Sequence, residues 1–117
     1  MQHTSFSTSP CPVARSLEYV GEWWSIMILR DAFRGLTRFD QFQKSLGIAP
    51  NILSRRLRAL VEAGLLQKSR YSDHPPRDEY LLTEAGRDFG PVLRALVTWG
   101  KTHFPSEPPI NEIRRTP

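Results

Sequence analysis

Between residues 13 and 104 the apolar positions fall mostly at helical spacing. Val13, Leu17 and Val20 share one face of a first helix, with Pro12 suited to its opening position and Gly21 closing it. The run from Trp23 to Phe33 is apolar almost all round, the pattern of a central helix covered on most sides, and Gly35 ends it. Phe39, Phe42 and Leu46 keep i, i+3, i+7 spacing in a short third helix that Gly47 stops. Pro50 opens a fourth helix, whose apolar stripe of Leu53, Leu57, Leu60 and Val61 runs out at Gly64. There the helical period gives way to alternation. LLQKSRY and DEYLL predict two short strands around a polar, proline-rich tip, Ser72 to Arg77. Thr83 suits the N-cap of a closing helix, and Pro91 predicts a kink or restart inside it. Val92, Leu96 and Trp99 lie on one face of that helix, with Leu93, Val97 and Phe104 beside them.

This order predicts a mostly α fold with a small β-hairpin. Two helices joined by the short turn Gly47-Ile48-Ala49 and followed at once by a hairpin describe a winged helix-turn-helix. In that arrangement the second helix of the motif enters the major groove of DNA. Stepping about 100° per residue from Leu57 gathers Leu53, Leu60 and Val61 around it. The same stepping places Asn51, Arg55, Arg58 and Glu62 opposite, Ser54 on the shoulder and Arg56 on the other flank. Asparagine pairs with adenine, arginine with guanine N7 and O6, and serine with base or phosphate. Asn51, Ser54, Arg55 and Arg58 are therefore the candidate base-reading set.

Charge sharpens that reading. The 117-residue chain holds 16 Lys+Arg against 12 Asp+Glu, a net +4. Residues 50–77 contain six basic and two acidic side chains, so that segment alone carries +4, the whole chain's net charge. A basic helix face alone is usually just a solvated surface; set between a helix-turn-helix and a basic hairpin, it fits double-stranded DNA. Arg38, just before the helix that crosses the DNA backbone, and Lys44 on that helix are the candidate phosphate contacts, and Arg70 on the first strand is a further DNA-binding candidate. At the tip, Arg77 suits a narrow minor groove, with His74 as a further DNA contact.

Several short motifs add a resemblance. They are Cys11-Pro12-Val13, Gly21-x-x-Trp24, Arg38-Phe39-x-x-Phe42, Leu53-x-x-Arg56-Leu57 and Pro75-Pro76-Arg77-x-Glu79-Tyr80-x-Leu82-Thr83. Together, from Cys11 to about Phe104, the chain resembles the HxlR-type transcriptional regulators of bacteria, a winged-helix branch related to the MarR group. The resemblance implies a homodimer that binds specific DNA and joins through its first and last helices, with Val13, Leu17, Val92, Leu96 and Trp99 in the interface. The apolar excess of the last helix points to a partner subunit as well. Three departures stand out. Ala49 replaces a frequent capping serine, Asp78 lowers the positive field of the wing, and Glu22-Trp23 replaces a frequent Gly-Lys or Asp-Arg.

Cys11 is the candidate redox sensor. It stands beside the free N–H groups of a helix start with Arg15 one turn on, and some HxlR-type regulators respond to oxidants through a cysteine at the matching position. The bland alternative is a small hydrophobe in a dimer interface. Trp23, Trp24 and Trp99, next to Met27 and Phe39, read as core, the alternative being a cage for a small aromatic effector.

The remaining observations exclude classes. One cysteine leaves no internal disulfide framework and no cysteine-based zinc site. His3, His74 and His103 share no ligand spacing, so no metal or cofactor is expected. No nucleophile elbow, phosphate-cradling Gly-x-Gly or paired-carboxylate spacing supports an enzyme, and no catalytic residue is assigned. No apolar run approaches a membrane span and MQHTSFSTSP is no secretory leader, so the expected location is the cytoplasm. Residues 1–10 are expected as a flexible tail, 11–104 as the folded domain and 105–117 as a proline-rich tail. The rival function is a winged helix used for protein contact in a larger assembly, which would call for an apolar, charge-poor fourth helix.

Overall fold

The computed structural model describes residues 5–106. Its central element starts at Glu22, whose carboxylate accepts from the N–H groups of Trp24 (2.8 Å) and Ser25 (3.3 Å) and so caps α2, Trp23–Phe33. Before it, α1 spans Pro12–Val20; after it come α3, Phe39–Leu46, and α4, Pro50–Glu62. The core is built around Ile28 and Leu29 of α2, Phe42 of α3 and Leu53, Leu57 and Leu60 of α4, all fully buried. Ile48 from the turn, Val20 from α1 and Leu66 from the hairpin complete it. Asp31 is buried at the same depth, and its Oδ1 accepts from Arg30 Nη2 at 2.9 Å, with Arg34 Nη1 at 3.7 Å.

The hairpin consists of β1, Leu66–Asp73, and β2, Pro76–Leu82, paired antiparallel from Leu66↔Leu82 to Asp73↔Pro76. The tip is thus shorter than the six-residue loop its composition suggests. Ser72, Asp73, Pro76 and Arg77 belong to the strands, and only His74-Pro75 turns. A bulge at Tyr71 absorbs the odd residue, and proline at the first position of β2 leaves the ladder intact. Thr83 fastens the hairpin to the end of α4. Its hydroxyl donates to Gly64 O (2.6 Å) and accepts from Gly86 N–H (3.0 Å) as the cap of the one-turn α5, Glu84–Arg87. A side chain at Gly86 would collide with Leu65 O, so the close approach requires glycine there.

The closing helix restarts at Pro91, as its sequence predicts, giving α6, Gly90–His103. Residues 5–10, placed by sequence in the tail, include a turn in which Ser9 N–H donates to Phe6 O (2.9 Å), while Phe6 N–H donates to Glu18 Oε1 of α1 (2.8 Å). The expected ends at 1–4 and 107–117 lie outside the described residues.

Candidate nucleic-acid interface

The junction of α3 and α4 fixes the site. Gly47 ends α3 at φ 62°, a left-handed conformation that only glycine takes without strain, and its N–H donates to Gln43 O at 2.8 Å. Ile48 is buried, and Pro50 starts α4 from an Ala49 cap that offers no side-chain oxygen. With Leu53, Leu57 and Leu60 locked in the core, α4 can present only its other face. Asn51, Ser54, Arg55, Arg58 and Glu62 are exposed there. Among the described residues, the side chains of Asn51, Ser54, Arg55 and Arg58 make no hydrogen bond or ion pair, so their donors are free for a ligand. Arg56 is different: half-buried, with Nη1 3.9 Å from Glu22 Oε1, it ties α4 to the start of α2.

The wing extends this surface. Lys68 and Arg70 on β1 and their cross-strand neighbours Tyr80 and Asp78 on β2 share one sheet face. That face meets α4 where Ser54, Arg58, Val61, Lys68 and Tyr80 line a cleft of about 120 Å³. Lys68 was not among the site residues picked from sequence. Its charge was counted, but only the strand register sets it beside Ser54 and Arg58. Arg70 is less free than a lone cation: its Nε is 3.2 Å from Asp78 Oδ1 and its Nη1 3.6 Å from Asp73 Oδ1.

Arg38, the N-cap residue of α3, lays its guanidinium 4.3 Å over the ring of Tyr71, the bulge residue. Tyr80 N–H donates to Thr37 O at 2.7 Å, which pins this loop to the wing. Arg38 and Arg77 consequently flank one cleft of about 320 Å³, with Tyr71 and Asp78 between them. His74 is exposed at the tip and Lys44 on the last turn of α3. The structure therefore gathers Arg38 with Arg77, and Ser54 and Arg58 with Lys68.

A second surface lies on α1 and α6. Val13, Leu17, Val92 and Leu96 are exposed and line an apolar groove of about 510 Å³ between the two helices, floored by Val20, Ile26, Leu65 and Phe89. Trp99 stacks against His103 and Phe104 at the far end of α6. The reading of the three tryptophans as core holds only in part. Trp24 is half-buried against the core, but Trp23 is 73% exposed and Trp99 57%. Trp23 opens α2 with its ring 5.7 Å from that of Trp24, and among the described residues α6 buries only Gly90. Cys11 is exposed at the N-cap of α1; its N–H donates to Ser9 Oγ (3.1 Å), and Arg15 Nη1 to Ser9 O (2.7 Å). Among the described residues there is no cluster of three His, Cys, Asp or Glu able to hold a metal ion, and no helix long and apolar enough to cross a membrane.

The architecture and this surface define a winged helix-turn-helix protein. Residues 19–108 match the HxlR-like helix-turn-helix family, and the chain belongs to it, as its motifs predict. An uncharacterized HTH-type transcriptional regulator of Mycobacterium tuberculosis, Rv3095, is 50% identical over 100 residues, covering 84% of this chain and 63% of its own length. The chain therefore spans less than two thirds of that relative. The crystal structure of PA1607, a candidate transcription factor, superposes with a TM-score of 0.83 at 46% identity, over 96% of this chain and 78% of that one. The redox regulator HypR in its reduced form gives 0.74 at 30% identity, over 79% and 92%.

Proposed function

We propose that this protein is a transcriptional regulator, not an enzyme, that binds specific double-stranded DNA in the cytoplasm as a homodimer. The observation that carries the reading is the free face of α4, where Asn51, Ser54, Arg55 and Arg58 are exposed and unpaired beside a wing that carries Lys68, Arg70 and Arg77. Those four side chains read bases in the major groove, while Arg38, Lys44 and Arg77 hold phosphates or enter the minor groove. Residues 11–104 form the binding domain between two tails. The exposed apolar residues of α1 and α6 suit a second subunit, which would set two recognition helices on half-sites about 10–11 base pairs apart in an inverted repeat. The same charged face speaks against a protein-contact module, whose fourth helix would be apolar.

The test is selection of binding sites from random duplexes, followed by mobility shifts on the selected site. An inverted repeat is expected. Binding of all duplexes alike would remove the specific reading.

Cys11 adds a regulatory reading, favoured by its exposure at the start of α1 and by the likeness to a protein named as a redox regulator. Two Cys11 thiols, one per subunit, would form a disulfide, with diamide taking their two electrons and two protons, and change the spacing of the recognition helices. Wild type should then change its operator affinity with diamide while Cys11→Ser does not. Equal binding with and without diamide, once Cys11 is shown to have reacted, would leave the cysteine as packing and favour a small-molecule effector in the apolar groove.

A further inference from the structure

Lys68 and Arg70, two residues apart on β1, project from one sheet face and would together make a site for one backbone phosphate. That site already contains an anion. The Asp78 carboxylate lies across the ladder with Oδ1 3.2 Å from Arg70 Nε and Oδ2 3.8 Å from Lys68 Nζ. Its side chain is 27% exposed, while Lys68 and Arg70 are each about half exposed, so the carboxylate sits beneath the two cations. The same sheet face borders α4 at Ser54 and Arg58. Arg77, the neighbour of Asp78 in sequence, makes no ion pair among the described residues.

We infer that Asp78 is a specificity-determining residue that withholds Lys68 and Arg70 from non-specific DNA. The inference rests on the DNA reading given above. A free cation that meets a phosphate releases a condensed counterion, and this release drives binding to any sequence. A cation already held by a carboxylate only exchanges one anion for another, so the gain nearly vanishes. Random DNA thus gains little from the inner wing. A site fixed in register by Asn51, Arg55 and Arg58 holds its phosphate against the wing and can displace the carboxylate. The inner wing then contributes to the right sequence more than to the wrong one.

The experiment compares wild type, Asp78→Asn and Asp78→Glu on the selected operator and on a scrambled duplex across a salt series. Asp78→Asn should bind the scrambled duplex more tightly, with a slope of log K against log salt steeper by about 0.9 for the release of Lys68, since Arg70 keeps Asp73 Oδ1 at 3.6 Å. For one cation, its advantage over wild type shrinks about 3.5-fold with each fourfold rise in salt. The operator-to-scrambled ratio should fall. Asp78→Glu keeps the carboxylate and should keep the wild-type slope; adding Lys68→Gln to Asp78→Asn should return the slope toward wild type. Asp78→Ala replaces the asparagine variant if the latter melts early. Wild-type affinity and slope in the neutral variants, with wild type itself binding DNA, would overturn this inference alone. A wild type that binds neither duplex at low salt would overturn the DNA reading and this inference with it.

Discussion

Helices α4 and α6 are nearly equal in length, 13 and 14 residues, and both are rich in aliphatic side chains, yet they use them in opposite ways. In α4 the apolar residues form one stripe, and Leu53, Leu57 and Leu60 are fully buried within the subunit. Burying a leucine stabilises by about 1.5–3 kcal/mol, so that stripe fixes the rotation of the helix and decides which side chains face out. In α6 the apolar residues occupy two faces, and Val92, Leu96, Val97 and Trp99 all remain exposed. One helix has its hydrophobic demand met at home and offers polar groups outward; the other offers its hydrophobic groups outward. The difference separates the surface proposed for DNA from the surface proposed for a second subunit.

That contrast can be broken by substitution. The largest effect is expected from Leu57→Ala, which leaves a cavity at the centre of the α4 stripe and should cost about 2–5 kcal/mol in urea unfolding. A loss below about 1 kcal/mol would mean that α4 is not held as described. Next comes Trp99→Ala on α6, an exposed aromatic suited to anchor a partner. It should weaken self-association by about 2 kcal/mol in sedimentation equilibrium while helix content is unchanged. A wild-type protein that stays monomeric at micromolar concentration would remove the dimer surface. The smallest effect is a gain. Ala49→Ser supplies the missing cap of α4 and should stabilise by about 1 kcal/mol, with DNA discrimination unaltered. A change in discrimination would show that the α4 N-terminus moves with its cap.

Much of this was legible in the sequence. Stepping around α4 from Leu57 separates the buried leucines from Asn51, Arg55 and Arg58 because a helix with one stripe has one solution. The tryptophans were less legible for the converse reason. A segment apolar all round, such as α2, does not reveal which of its side chains its neighbours leave uncovered, and Trp23 is one of these. The hairpin tip was misjudged because composition marks Pro75 and Pro76 as loop, whereas the Tyr71 bulge restores a register in which Pro76 begins a strand. Charge counting marks Lys68 and Arg70 as cations of the wing but does not give their pairing. That Arg70 and Lys68 both face Asp78 follows only from the ladder. The stacking of Arg38 on Tyr71 likewise depends on a bulge that no local pattern announces.

The free face of α4 is proposed to read bases while the residues around it hold the backbone. The most direct test is the operator-to-scrambled affinity ratio of Arg55→Ala, beside that of Lys44→Ala, across a salt series. Arg55→Ala should lose about 1–3 kcal/mol of discrimination, roughly a fivefold to hundredfold fall in the ratio. Lys44→Ala should weaken both duplexes equally and flatten the salt slope by about 0.9, leaving the ratio unchanged. Wild-type discrimination in Arg55→Ala, or a ratio that falls with Lys44→Ala instead, would contradict base reading by the α4 face.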